Sequence, residues 1–328
     1  MVHDFENIFG REKRTFWMGL SILWIFMYHL TLFNPFPIAF NFSYIEPFMY
    51  LFRTGFIGVD IFLFLSAYGL CCSYNKNNLK IFYRNRIQRI YPLYFIFLML
   101  FYILMIVLGN DSFKDLRIYL LQCTGLSVLN VIKFDIEWFT PSIILLYIIF
   151  PALYRIVGFI CNRHENILYQ VGLLVLCISV TPLLSFVVAD NLSSRLPIFI
   201  LGIFTFYNLN KNQTKELFIL YGAGIALSFI VENNNLRYSM SVPSFLLFLS
   251  CCTFHEKNRF YKNVSWIGKY SFEIYLAQVL TTKFILRSVF VDNVFVLYSA
   301  VVLFTVLISL LFIKIAQITR LSYIGIKL

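Results

Sequence analysis

Apolar residues in this chain gather into runs of about 15 to 22, separated by short polar breaks and lacking the period-two alternation of a membrane β-barrel. At about 1.5 Å per residue such runs cross a hydrocarbon core roughly 30 Å thick, so the pattern predicts an all-α, polytopic membrane bundle. Spanning helices are expected over residues 16–36, 49–72, 90–109, 138–160, 169–189, 196–207, 217–231, 240–254, 270–286 and 294–315, about ten in all. The further run 116–131 is apolar but short, and it carries Gln122, Gly125, Ser127 and Asn130. It reads as an outer interfacial or re-entrant piece within residues 110–137. With no Gly/Ser linker, low-complexity tract or strong internal repeat, residues 1–328 are expected to form one membrane domain, with 1–15 as a cytoplasmic N-terminal segment.

Charge orients this bundle. Only 13% of the residues are charged, against roughly a quarter in a soluble domain, and the net charge is +11. The basic excess is not a nucleic-acid signature, because no such motif is present and the cations fall in alternate loops. Arg11, Lys13 and Arg14 share a side with Arg155/Arg163, Lys211/Lys215, Lys257/Arg259/Lys262/Lys269 and Arg320/Lys327, while Asp190, Glu232 and Asp292 lie opposite. The positive-inside rule then places both chain ends in the cytoplasm of a multi-pass cell-membrane protein. Lys114, Arg117 and Lys133 run against the rule, but treating 116–131 as a span would invert every later loop. The polar, basic first fifteen residues and the absence of a small-residue cleavage site predict a retained first helix rather than a cleaved signal. The seven cysteines show no metal-ligand spacing and read as packing residues.

Candidate chemistry centres on residues 58–94. An apolar run carries Asp60 into the membrane, where acids are costly and usually functional. A basic loop with Lys76, Lys80, Arg84, Arg86 and Arg89 follows, suited to holding phosphate, and Tyr91-Pro92 opens the next helix. Of the four histidines only His29 lies well within a predicted span. Counted from the loops, His29 is about 20 Å and Asp60 about 15 Å into the membrane from opposite sides, so the two are expected within a turn of the same level. A neutral buried imidazole suits a general base. Glu137, Trp138, Tyr147 and Arg195, at membrane edges, are the candidate substrate-contacting set; Trp138 and the tyrosines also read as interface anchors. Glu273 and Gln278 are further polar groups of this kind.

Together these residues resemble acyltransferase family 3, integral membrane O-acyltransferases of bacteria. The resemblance runs through His29 in I-F-M-Y-H and through Gly58–Tyr68, similar to the family's G-V-D-x-F-F-x-L-S-G-F. It continues in Arg86, Arg89, Ile90 and Pro92 (R-x-x-R-[IL]-x-P) and in Trp138-Phe139, Tyr147 and Pro151. Arg195, Pro197, Phe199 and Gly202 (R-x-P-x-F-x-x-G) follow, then Ile267-Gly268, Ser271, Ile274, Tyr275 and Leu276. Leu63, Ala67 and Tyr68 depart from the first of these runs, and two further positions depart. Met18 stands where many members carry an arginine eleven residues before the histidine, with Arg14 one turn earlier. Gln278 stands where the late helix often has a histidine.

The resemblance implies acyl transfer, most simply of acetyl, from cytosolic acyl-CoA held by Arg84, Arg86 and Arg89 to a hydroxyl of a cell-surface or exported glycan. His29 would be the general base or a covalent relay, Asp60 would orient it, and Arg195 would hold acceptor or donor near the outer mouth. No metal is implied. A proton-coupled transporter or flippase using His29 and Asp60 is the alternative; a glycan polymerase, which needs larger outer loops, ranks third.

Overall fold

The computed structural model describes residues 9–32, 46–109, 115–129, 136–163, 167–230, 234–251, 258–288 and 294–325. His3, His164, His255, Lys114, Lys133, Glu232, Lys257, Asp292 and Lys327 lie outside them, as does Cys252. Every regular element among the described residues is helical: α1 (Arg11–Leu32), α2 (Glu46–Arg53), α3 (Ile57–Lys76), α4 (Leu79–Val107), α5 (Leu116–Thr124), α6 (Phe139–Arg163), α7 (Ile167–Leu184), α8 (Asp190–Ser193), α9 (Leu196–Asn210), α10 (Thr214–Ile230), α11 (Asn234–Cys251), α12 (Arg259–Lys269), α13 (Ser271–Ser288) and α14 (Val294–Gly325). Six described segments are long and apolar enough to cross a membrane: Tyr50–Lys76, Leu79–Val107, Phe139–Arg163, Ile167–Leu184, Asp190–Asn210 and Val296–Thr319. The chain is a multi-pass membrane protein. The other apolar runs, 16–36, 217–231, 240–254 and 270–286, are helical as α1, α10, α11 and α13.

α3 and α9 form the centre. The apolar window of Asp190–Asn210 is 89% buried against 22% for Ile167–Leu184, which turns most of its side chains outward. The two central helices meet where Gly202 lies against the Phe64 carbonyl and Ala67, the small-residue approach typical of membrane helices. α3 and the turn before it also lie close on α1: a Cβ at Gly58 would sit 2.7 Å from the Ser21 carbonyl oxygen, and one at Gly55, in that turn, 2.8 Å from Tyr28 Cβ. These contacts fix the antiparallel register of α1 and α3.

Two expectations change. The basic stretch after α3 is helix rather than loop. The turn is confined to Asn77-Asn78, the Asn78 side chain accepts from Ile81 N–H (2.9 Å), and α4 runs on past Pro92, which lies inside it. Scanning for apolar runs finds only the immersed part of such a helix. The segment after Asn258 is also helical: α12 buries Tyr261, Val264 and Gly268, spaced three and four apart, against α1. The apolar run expected to stop short of a span holds the nine-residue α5, about 13 Å long and too short to cross. Asp115 caps it, and Gly125 ends it at φ +76°, a left-handed conformation glycine adopts freely.

α12 docks on α1 backbone to backbone, since a Cβ on Gly268 would overlap the Thr15 carbonyl and one on Gly19 the Val264 carbonyl. Gly268→Ala is therefore expected to destabilise the protein by about 1–3 kcal/mol through overpacking. A lowered thermal midpoint in detergent, with faster proteolysis at α12, is the readout.

Candidate active site

Asp60, in the first turn of α3, is fully buried. Its Oδ1 lies 3.1 Å from Arg195 Nε and accepts from the Ser239 hydroxyl at 2.6 Å. Arg195 is the residue before α9, where Pro197 suits the opening turn. Its guanidinium donates to the Asn191 carbonyl (3.1 Å) and lies over the Trp138 ring at 5.2 Å. Four segments, α3, α9, α11 and the entry to α6, are thus tied by one buried ion pair. Tyr28 of α1 lies within electrostatic reach of the same guanidinium.

His29 is elsewhere. Extending the α1–α3 register from the Gly55 and Gly58 contacts sets Asp60 opposite Ser21, eight residues before His29, or about 12 Å along the axis. By that register the two stand about two turns apart, and Asp60 is paired with Arg195 and Ser239. Counting inward from each loop assumed that both spans begin at one membrane plane; the glycine contacts set the offset instead. His29 is partly exposed near the end of α1, tilted against Tyr28 with ring centroids 5.9 Å apart, and within electrostatic reach of the Lys283 ammonium from α13. Lys283 also donates to the Ile136 carbonyl.

Glu137 is the N-terminal cap of α6. Its carboxylate accepts from Phe139 N–H and Thr140 N–H, both at 2.9 Å, and from the Tyr275 hydroxyl at 2.8 Å. Burial raises this carboxyl above its ordinary range, against the lowering pull of those donors. Tyr94 donates to Gln122 at 2.8 Å, joining α4 to α5 beside it. With its oxygens so occupied, Glu137 orders the junction of α4, α6 and α13.

The three arginines of α4 part company. Arg84 and Arg89 are exposed, while Arg86 turns inward, its guanidinium over the rings of Phe82 (5.0 Å) and Tyr147 (5.8 Å). Its Nε is buried without a hydrogen-bond partner among the described residues. Tyr147 and Trp138, expected as interface anchors, each lie beneath an arginine instead. Arg14 also points inward, lying against Gly69 and 5.8 Å over the Tyr68 ring, while Met18 packs on the core.

The structure therefore brings together Asp60, Arg195 and Trp138 in one cluster and Arg86 with Tyr147 in another. His29 stands with Lys283 at the end away from Arg86. Ser239 and Lys283 were not singled out from the sequence. A lone lysine late in the apolar run 270–286 was the available signal for one, and an ordinary helical serine gives none for the other.

A model of the acyltransferase domain of acyltransferase family 3 matches residues 19–314, nearly the whole chain and every residue of these clusters except Arg14. No curated protein and no solved structure matches it.

Proposed function

Because the chain belongs to acyltransferase family 3 and is a membrane-embedded acyltransferase, we propose that it moves an acyl group, most simply acetyl, from cytosolic acyl-CoA to a hydroxyl of a cell-surface or exported glycan. It would cross the cell membrane ten times with both ends in the cytoplasm, which puts Arg86 toward the inside and His29 toward the outside.

The observation that carries the donor reading is Arg86. A guanidinium turned into the bundle and stacked on Phe82 and Tyr147, with no carboxylate partner among the described residues, is costly unless an anion joins it. The donor's phosphates supply that anion, with the exposed Arg84 and Arg89 drawing them in. The thioester arm then rises toward His29. There the imidazole takes the proton of the acceptor hydroxyl as its oxygen attacks the thioester carbon. The tetrahedral adduct collapses, the C–S bond breaks, and the departing thiolate takes the proton back from the imidazolium, leaving an O-acyl ester and free CoA thiol. Arg195, held by Asp60, offers its remaining N–H groups to the acceptor, with Trp138 as its platform. The pairing of Asp60 with Arg195 favours this reading over a transporter built on a His29–Asp60 relay.

Membranes containing the protein are expected to move label from acetyl-CoA into an extractable glycan or small acceptor. Arg86→Ala should raise the KM for acetyl-CoA about 10- to 100-fold, the loss of a charge-assisted contact. No label uptake with the native acceptor pool present would overturn the proposal.

A further inference from the structure

Gln278 is fully buried in α13, yet neither atom of its side-chain amide has a hydrogen-bond partner among the described residues. The hydroxyls of Thr281 and Thr282 bond its backbone carbonyl and leave the side chain alone. On the helical wheel Gln278 falls about 60° from Tyr275, which turns to Glu137, and about 60° from Thr281, which bonds Thr305 of α14. Its donor and acceptor sit together at one end of a short planar fork.

A fully buried amide with neither polar atom satisfied is costly in an apolar bundle and marks a place prepared for a polar guest.

The axial position narrows the guest. Gln278 is five residues, or about 7.5 Å, from Lys283 at the His29 end. Tyr275 and Tyr94 both adjoin the Glu137 junction, and Arg86 lies eight residues, about 12 Å, from Tyr94 on the other side. Gln278 therefore stands between the group assigned to the reacting thioester and the group assigned to the phosphates. In an acyl-CoA that interval is bridged by the pantetheine arm, whose polar groups include two secondary amides flanking a β-alanine unit. From the thioester carbon to the nearer amide carbonyl is five bonds, about 6–7 Å extended.

We propose that Gln278 grips this arm, its side-chain NH2 donating to the carbonyl on one side of β-alanine and its carbonyl accepting from the N–H on the other. The inference rests on the acyl-CoA reading above. Gln278 sets the height at which the thioester stops and selects pantetheine-borne donors over simple thioesters.

The test uses the full chain in detergent with three acetyl donors: acetyl-CoA, S-acetylpantetheine, and S-acetyl-2-mercaptoethanol, which has neither amide. Gln278→Met keeps the shape and removes both polar atoms. It is expected to raise KM at least tenfold for the first two donors and to leave KM for the third within about twofold. The thermal midpoint of the ligand-free variant should be equal to or above that of the wild type, since an unsatisfied group has been removed. An equal KM rise for all three donors, or a lowered midpoint with KM unchanged, would assign Gln278 a structural role and overturn the inference. Should the wild type transfer acetyl from none of the donors, the acyl-CoA reading fails first and takes this one with it. Normal wild-type transfer, with Arg86→Ala impaired and Gln278→Met unaffected, would sink the Gln278 inference alone.

Discussion

Replacing His29 with alanine is expected to abolish measurable acyl transfer while the protein accumulates and unfolds as the wild type does. The residue is partly exposed near the end of α1, with its Nδ1 buried, so its loss opens a gap at the edge of the bundle rather than in the core. The packing that holds α1 runs through Gly19 on α12 and through Gly58 of α3 against Ser21 and Ile25, a turn or more before His29. Removing a positioned general base costs about 10²- to 10⁴-fold in rate, whereas removing a covalent relay leaves only background. The two are separable: a relay accumulates label on the protein when acceptor is withheld, and a base does not. Steady-state transfer by purified protein, normalised to folded enzyme, is the measurement. Full activity in His29→Ala would show that the proton is taken by another group and that the proposed placement of the chemistry is wrong.

The architecture was legible wherever the bilayer itself dictates the pattern. Long apolar runs had to be helices, and α6 and α7 follow theirs within a few residues, while α4 and α14 extend about ten residues beyond theirs. Polar residues inside those runs also stood out one by one, which is how His29, Asp60 and Arg195 were found. Pairing among them was not legible. Asp60 bonds Ser239 across 179 residues, and nothing local to either position signals it. Depth was misjudged for a related reason. It was measured from loop positions, whereas the offset of α1 and α3 is set by which glycine faces which carbonyl. The basic stretch 79–89 was hidden as a helix because its charges interrupt apolarity without interrupting helicity; Asn78, a good cap, was the overlooked sign. α12 escaped because an eleven-residue amphipathic helix has no long apolar run, although Tyr261, Val264 and Gly268 already show its period. Arg86 separates from Arg84 and Arg89 only once α4 is known to be helical, since the helix then decides which of the three faces Tyr147.

Asp60→Ala is expected to cost about 3–5 kcal/mol of stability, because it strands the Arg195 guanidinium, 4% exposed, without its counter-charge. Arg195→Ala should cost a similar amount by stranding the carboxylate, whose remaining partner is the single Ser239 hydroxyl. The double variant Asp60→Leu/Arg195→Met carries no buried charge and approximates the volumes of both side chains. It is expected to recover most of the loss, since desolvation offsets much of what a buried pair gains. Thermal unfolding of the four proteins in one detergent gives the coupling directly. If the double variant were as unstable as the sum of the singles, the cluster's stability would come from packing around Trp138 and Asn191 rather than from charge. Activity of the refolded double variant then separates lock from site. A pair that only fastens α3 to α9 and α11 leaves transfer intact once stability is restored. An Arg195 that also binds the acceptor leaves a stable protein whose KM for the acceptor is raised about tenfold or more, with KM for acetyl-CoA unchanged. The second outcome is the one expected, because Asp60 occupies only part of the guanidinium and the carboxylate's own Oδ2 is without a partner among the described residues. A hydroxyl-bearing substrate can satisfy both at once.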